Sequence, residues 1–364
     1  MIVGKGRALQ PGERIRVLVV DDSAVIRRLV AHALTEDATI EVAGTAANGK
    51  IAMQRISQLN PDVITLDVEM PEMDGLETLR RIRREYPQVR VIMFSTLTER
   101  GAEVTLDALR LGADDYVTKA SNEGSLDRSL ARLRADLLPR IKQFYTASAP
   151  RLTLAPEASV PCKVRSLSPA HFLKAAAVAI GISTGGPATL AEVLPMLPGD
   201  FPLPLFVVQH MPPLFTRLLA ERLNAACHLR VVEASHGEIV EPGKILIAPG
   251  DFHMKVAGST AKAHIELEQS TPLNSCRPAV DALLTSMSTV YGGAVIAAIL
   301  TGMGQDGLRG AQILKAQGAF ILAQDEASSV VWGMPGAVVR GGLANRVLPA
   351  GEVASELIRL ANYR

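Results

Sequence analysis

Residues Val17–Ser23 read VLVVDDS, an apolar run that ends abruptly in two carboxylates. The run begins at Ile15, and its length and Val-rich composition suit a buried parallel strand. Working outward, Val63–Leu66, Val89–Phe94 and Tyr116–Val117 repeat the pattern. Helical spacing fills the gaps: Val25, Ile26, Leu29, Val30 and Ala33 share one face, and Leu126, Leu130, Leu133 and Leu137 another. Strands alternating with helices predict a doubly wound parallel α/β sheet over residues 14–138. Residues 1–13 form a tail before it. From Pro139 the pattern decays through Pro150, Pro156, Pro161 and Pro169, which reads as a linker over 139–172 with one short helix near Arg140–Tyr145. Alternation resumes over 173–364, with strands expected at Ala175–Ile182, Leu203–Gln209, Lys244–Ala248, Ala294–Thr301 and Ala319–Ala323. A second doubly wound α/β domain follows.

Composition narrows the function. The 364 residues carry a net charge of +1 and no dense Lys/Arg block, so nucleic acid is not an expected partner. No basic recognition helix follows the first block, which argues against a transcription factor. No apolar run approaches the roughly 18 residues of a membrane span, and the N-terminus has no signal-like apolar core, so direct membrane insertion is not expected. Cys162, Cys227 and Cys276 fit neither a disulfide framework nor a zinc site, and a reduced, cytoplasmic protein is the expectation.

Asp21, Asp22, Asp67, Ser95 and Lys119 each follow a predicted strand in the first block, at the sheet edge where ligands of such folds bind. Carboxylates there offer hard oxygen ligands to Mg²⁺, and a lysine with a hydroxyl can hold an acyl phosphate. Taken singly, each aspartate also suits a strand end or helix cap. The stretches Val17–Ser23, Pro61–Gly75 (PDVITLDVEMPEMDG) and Gly112–Lys119 (GADDYVTK) resemble a response-regulator receiver domain. That resemblance implies phosphorylation of Asp67 by a chemotaxis histidine kinase. It also implies a Mg²⁺ site of Asp21, Asp22, Asp67 and the Glu69 carbonyl, with Ser95, Tyr116 and Lys119 as the switch. Lys119 is followed by Ala120, where receivers usually have proline.

In the second block Gly181-Ile182-Ser183-Thr184-Gly185 ends an apolar strand, and Gly186-Pro187 opens a helical pattern. This G-x-S-x-G turn suits an exposed nucleophile, although Gly-rich strand–helix turns also bind phosphates. His210 lies at the end of another strand and is either a base or a packed imidazole; Asp306 follows a third strand and is either an orienting carboxylate or a helix cap. Together the three supply a serine, a base and a carboxylate at one crevice. Their order, Ser–His–Asp, differs from the Ser–Asp–His of α/β-hydrolases.

The segments IGISTGG (Ile180–Gly186), QHMPP (Gln209–Pro213), IAPGD (Ile247–Asp251), RPAVD (Arg277–Asp281), ILTGMGQDG (Ile299–Gly307) and AQDEASSVVWGMP (Ala323–Pro335) resemble the catalytic domain of chemotaxis protein-glutamate methylesterases. Ile182 and Ala279 are minor departures that remove no reacting group. The resemblance implies Ser183 as nucleophile, His210 as base and then acid, and Asp306 as the orienting carboxylate. Backbone N–H groups of Thr184 and Met303 would form the oxyanion hole, and His253 and Arg277 would either line the substrate groove or serve a surface salt bridge or helix start. The implied reaction is phosphorylation-activated hydrolysis of glutamate γ-methyl esters on cytoplasmic helices of methylated chemoreceptors, with glutamine deamidation and no cofactor for hydrolysis. The unphosphorylated receiver is expected to obstruct the Ser183 crevice. Two alternatives stay open: a phosphorylation-controlled binding module with an inactive hydrolase domain, and the same chemistry in a receptor pathway other than chemotaxis.

Overall fold

The computed structural model describes residues 7–10, 12–96, 98–119, 126–147 and 174–362, which fall into two compact units. Ala120, Cys162 and most of the expected linker, residues 148–173, lie outside the described residues.

The N-terminal unit runs β1 (Arg7–Leu9), β2 (Ile15–Val20), α1 (Ala24–Thr35), β3 (Ile40–Ala46), α2 (Gly49–Leu59), β4 (Val63–Asp67), α3 (Gly75–Glu85), β5 (Arg90–Ser95), α4 (Glu99–Arg110), β6 (Asp115–Thr118), α5 (Leu126–Lys142) and β7 (Tyr145–Ala147). Its main sheet is parallel, in the order β3-β2-β4-β5-β6. In that order the chain reverses direction across β2 and β4, so a crevice opens at their carboxyl ends. Every residue of β4 and β5 is buried, as expected of strands covered on both faces. Polar side chains mark where strand gives way to helix: Ser23, Asn48, Asp74 and Thr98 each accept the backbone N–H three residues on. Such a cap is worth about 1 kcal/mol.

Several expectations are corrected. Strand β3 escaped the apolar-run reading because only its two end residues are buried, as an edge strand allows. Val25 is 72% exposed, because it sits about a third of a turn outside the stripe formed by Ile26, Val30 and Ala33. The expected linker does not start at Pro139. Helix α5 runs through that proline to Lys142, since Leu137, Ile141 and Phe144 are buried and anchor the last turn. Beyond it β7 pairs in parallel with β1, which draws part of the expected N-terminal tail into a two-stranded ladder.

The C-terminal unit runs β8 (Ala177–Ile182), α6 (Gly186–Val193), β9 (Leu205–Gln209), α7 (Pro213–Ala226), β10 (Arg230–Glu233), β11 (Lys244–Ile247), β12 (His253–Ser259), β13 (Lys262–Glu268), α8 (Val280–Tyr291), β14 (Val295–Ile299), α9 (Leu308–Ala316), β15 (Phe320–Gln324), α10 (Met334–Arg340), β16 (Arg346–Leu348) and α11 (Ala350–Ala361). Seven parallel strands take the order β10-β11-β9-β8-β14-β15-β16. The first strand, β8, lies at the centre, with β9–β11 built out on one side and β14–β16 on the other. That reversal places a crevice at the carboxyl end of β8. The core on one face packs Phe206, Met254, Ile265, Leu283 and Met287 together. The antiparallel hairpin β12–β13 was not expected; its alternation of Val256, Ile265 and Leu267 with Lys255, Glu266 and Glu268 is that of a half-buried ribbon. Among the described residues no helix is long and apolar enough to cross a membrane.

Candidate active site and carboxylate cluster

Ser183 is the first residue beyond β8, the central strand, and its N–H is held by the Thr301 carbonyl at 2.9 Å. The turn that follows depends on glycine. Gly185 has φ +78°, and a side chain on Gly186 would meet the Gln209 amide oxygen at 1.8 Å. Gln209, 2% exposed at the end of β9, donates Nε2 to the Ser183 carbonyl at 3.0 Å and so fixes the turn from the neighbouring strand. On the other side Thr301 Oγ1 donates to the Thr184 carbonyl at 2.9 Å. No backbone acceptor takes up the Met303 N–H among the described residues. Gly302 lets this loop approach: a Cβ there would sit 2.7 Å from Ser183 Cβ and 2.5 Å from Met334 Sδ. Gly302→Ala is therefore expected to destabilise the unit by about 1–3 kcal/mol and displace Ser183. A lowered urea midpoint together with a lowered turnover number would show this.

His210 follows β9, whose register pairs Gln209 with Ile182, so Ser183 and His210 leave adjacent strands side by side. Asp306 follows β14 on the other flank. His210 Nε2 meets Asp306 Oδ2 at 2.8 Å, and Nδ1 faces Cys276 Sγ at 3.6 Å. Among the described residues no hydrogen bond reaches Ser183 Oγ, and the two ring nitrogens of His210 are on Asp306 and Cys276. Asp306, 2% exposed, also accepts the N–H groups of Val280 (2.6 Å) and Asp281 (3.1 Å) at the start of α8, and the Asn274 amide at 3.0 Å. Burial pushes its carboxyl upward, but the His210 hydrogen bond and these donors outweigh that and hold it below the usual range. Burial favours neutral His210, yet the bond to Asp306, aided by the contact with Cys276, drives the imidazole up to about 9.

The two expected groove residues sit differently. Arg277 is tied by Nη2 and Nε to Asp251 Oδ1 (2.5 and 3.1 Å) and by Nη1 to the Ser270 carbonyl (2.8 Å). His253 is wholly buried, with Nε2 3.2 Å from the Thr271 carbonyl, in the wall of a cavity of about 650 Å³ shared with Lys255, Asn274, Asp281 and Gln305.

In the N-terminal unit the strand ends bring Asp21, Asp22 and Asp67 together, with carboxylate oxygens within 4.8 Å of one another. Lys119 Nζ lies 2.8 Å from both Asp21 and Asp67. Burial raises Asp67 to about 6; the Lys119 hydrogen bond opposes the shift and the Asp21 charge adds to it. Three carboxylates facing one ammonium leave negative charge uncompensated, so the donor set fits a hard divalent cation such as Mg²⁺. The Glu69 side chain turns to Arg100 at 3.4 Å. Ser95 is buried at the next strand end, where Oγ lies 3.0 Å from the Gly101 carbonyl and its own carbonyl receives the Lys119 N–H. Tyr116 is buried beneath Arg140, whose guanidinium lies 5.6 Å from the ring centre.

Sequence reasoning did not assign roles to Gln209, Asn274, Cys276 and Asp281, all of which touch the Ser183–His210–Asp306 array or its supports. Gln209 and Asp281 fall within the QHMPP and RPAVD segments; Asn274 and Cys276 carry no local signal.

Comparison with known proteins agrees over both units. Residues 17–131 match the response regulator receiver domain family and residues 178–357 the CheB methylesterase family. The chain is 51% identical to a protein-glutamate methylesterase/protein-glutamine glutaminase of Nocardioides sp., over 96% of each chain. It is 47% identical to one of the same description from Trichodesmium erythraeum, over 95% of this chain and 99% of that one. The crystal structure of the Thermotoga maritima CheB methylesterase catalytic domain covers 52% of this chain and 100% of its own length, with 46% identity and a TM-score of 0.50. A receiver domain followed by a methylesterase domain, with these relatives matched over 95–99% of each chain, places this chain in the protein-glutamate methylesterase/protein-glutamine glutaminase family.

Proposed function

We propose that the chain hydrolyses glutamate γ-methyl esters of methylated chemoreceptors, releasing methanol, and deamidates receptor glutamines at the same serine. A histidine kinase acts as phosphodonor to the receiver. The observation that carries this reading is the His210–Asp306 pair, which lies one strand away from an unbonded serine hydroxyl at the centre of the sheet. Ser183 Oγ attacks the γ-carbonyl carbon and its proton passes to His210 Nδ1. Asp306 stays ionised, holds Nε2–H and stabilises the imidazolium. The N–H groups of Thr184 and Met303 take the oxyanion; removing one such donor typically costs about 10²–10³ in rate. Collapse expels methoxide, which leaves as methanol with the proton from His210; ammonia leaves in the same way from glutamine. Water, deprotonated by His210, then releases the glutamate carboxylate and frees Ser183. His253 and Arg277 belong to the groove as wall and loop anchor respectively.

In the receiver, Asp67 accepts the phosphoryl group. Asp21, Asp22, Asp67 and the Glu69 carbonyl would hold Mg²⁺, which supplies charge neutralisation at the phosphoryl oxygens. Lys119 and Ser95 bind those oxygens, and Tyr116 responds from behind them. The chain acts in the cytoplasm, where the receptor helices that carry the methyl esters lie.

The pH profile tests the hydrolytic half. His210 acts as a base only when neutral, so turnover should rise with pH and level off above about 9. Asp306→Asn removes the charge that favours the imidazolium, so its rising limb should move to lower pH while the plateau falls by about 10⁴. An Asp306→Asn profile superimposable on wild type would remove Asp306 as the carboxylate that orients and tunes His210.

A further inference from the structure

We infer that Asn274, held by the buried carboxylate of Asp281, is a positioning residue for the reaction, fixing Asp306 so that Oδ2 stays on His210. This rests on the reading of Ser183, His210 and Asp306 given above.

Two helix ends meet at this site. Asp306 immediately precedes α9 in the chain, yet its carboxylate caps the other helix, accepting Val280 N–H and Asp281 N–H at the first turn of α8. Asp281 belongs to α8, yet its Oδ1 accepts Gly310 N–H in the first turn of α9 at 2.8 Å. The two carboxylates thus cap each other's helices, where unpaired N–H groups and the helix dipoles favour negative charge. Both are nearly inaccessible, at 2% and 8% exposure.

Asn274 joins them. Its Nδ2 donates to Asp281 Oδ2 at 2.9 Å and to Asp306 Oδ1 at 3.0 Å. An amide nitrogen has two hydrogens, and here each goes to a different carboxylate. Both partners are acceptors, so the amide orientation is fixed: its oxygen cannot face them. The backbone at Asn274 has φ +51°, a left-handed conformation that asparagine tolerates better than most residues. Because Asp306 Oδ2 serves His210 and Val280, the direction of the carboxylate depends on what holds Oδ1. Besides Asn274, Oδ1 is held by the N–H groups of Asp281 and Gly307. Among the described residues Asn274 is therefore the one Oδ1 donor that a side-chain substitution removes. Asn274 and Asp281 also line the 650 Å³ cavity, and the Asn274 amide that borders it is the same group that bonds Asp306 Oδ1. Without it, water from the cavity reaches Oδ1, and the carboxylate is freer to rotate away from the imidazole.

The experiment is steady-state methanol release by the full chain, phosphodonor and Mg²⁺ present, as a function of receptor concentration and pH. The variants are Asn274→Ala, Asn274→Asp, Asp281→Asn and, as a reference, Asp306→Asn. Losing a hydrogen bond to a charged group predicts a 10- to 100-fold drop in kcat for Asn274→Ala, roughly. KM should stay within about twofold, since the residue acts through Asp306 rather than on substrate. Asn274→Asp keeps the shape but removes both donors and should be at least as impaired. Asp281→Asn retains the volume and leaves one oxygen to serve two donors, so it reads the same linkage should the Asn274 variants fail to fold.

Among the described residues the ionisable groups bonded to His210 are Asp306 from the start of α9 and Cys276 from the loop before α8, with Asp281 joined to Asp306 through Asn274. The rising pH limb should therefore move downward in Asn274→Ala, which changes no charge, as in Asp306→Asn, and a purely structural role would not produce this; in Asp281→Asn the lost charge lowers the limb by itself, so that variant reads the linkage through kcat. If Asp306→Asn is impaired while Asn274→Ala keeps wild-type kcat and pH limb and Asp281→Asn keeps wild-type kcat, the positioning role is wrong and the triad stands. If Asp306→Asn itself retains full activity, the triad reading fails and this inference falls with it.

Discussion

Ser183→Ala is expected to lower methanol release by about 10⁶, to the level of oxyanion stabilisation and binding alone. The size of the effect follows from the chemistry: without Oγ no acyl-enzyme forms, and His210 and Asp306 have nothing to activate. The structure also makes this variant a clean one. Ser183 Oγ has no hydrogen-bond partner among the described residues, while the N–H and carbonyl of Ser183 are held by Thr301 and Gln209. Deleting the hydroxyl removes no native hydrogen bond, so the unfolding midpoint should match wild type within about 0.5 kcal/mol. Labelling by a fluorophosphonate should vanish with the activity. A Ser183→Ala protein that still releases methanol at more than a few per cent of the wild-type rate would point to another nucleophile.

Asp67→Asn should abolish the response to a small-molecule phosphodonor. Phosphorylation adds about 1.5–2 negative charges beside Asp21 and Lys119. With coupling energies of about 1–3 kcal/mol, activation of about 5- to 150-fold is available to be lost. A second consequence of the same variant concerns stability. Asp67 has a folded-state value of about 6, above its ordinary 3.8, so its ionised form opposes folding at neutral pH. A raised carboxyl favours the folded state more as pH falls from about 6 toward 4. Without Mg²⁺, Asp67→Asn should therefore stabilise the N-terminal unit at pH 7 by up to about 3 kcal/mol, with the gain shrinking through that window and gone below about pH 4. Urea unfolding at pH 7 and pH 4 measures it; an equal gain at both would assign the effect to packing instead of charge.

Much of this was legible in the sequence because both sites sit at strand ends. Strand β2 announces itself as an apolar run closed by Asp21-Asp22, and β8 as one closed by Gly181-Ile182-Ser183. In a parallel sheet such ends converge, so placing the strands placed the residues. What stayed hidden has different physics. Strand β3 lies at an edge and need not be apolar, and β10 and β16 form the two edges of the larger sheet in only four and three residues. Helix α5 passes through Pro139 because buried Leu137 and Ile141 outweigh one missing N–H. The supports of Asp306 come from a loop and another helix: Asn274 and Asp281 are 32 and 25 residues away in the chain, and nothing local marks their meeting. The wiring of His210, with Nε2 on the carboxylate, is a matter of rotamer that no motif encodes.

The most direct test compares methanol release from methyl-labelled receptor membranes by the full chain, with and without phosphodonor and Mg²⁺. Release should rise severalfold or more when the donor is present and disappear in Ser183→Ala. Phosphorylated wild-type protein releasing no methanol, from receptors that a proven methylesterase demethylates in parallel, would contradict it.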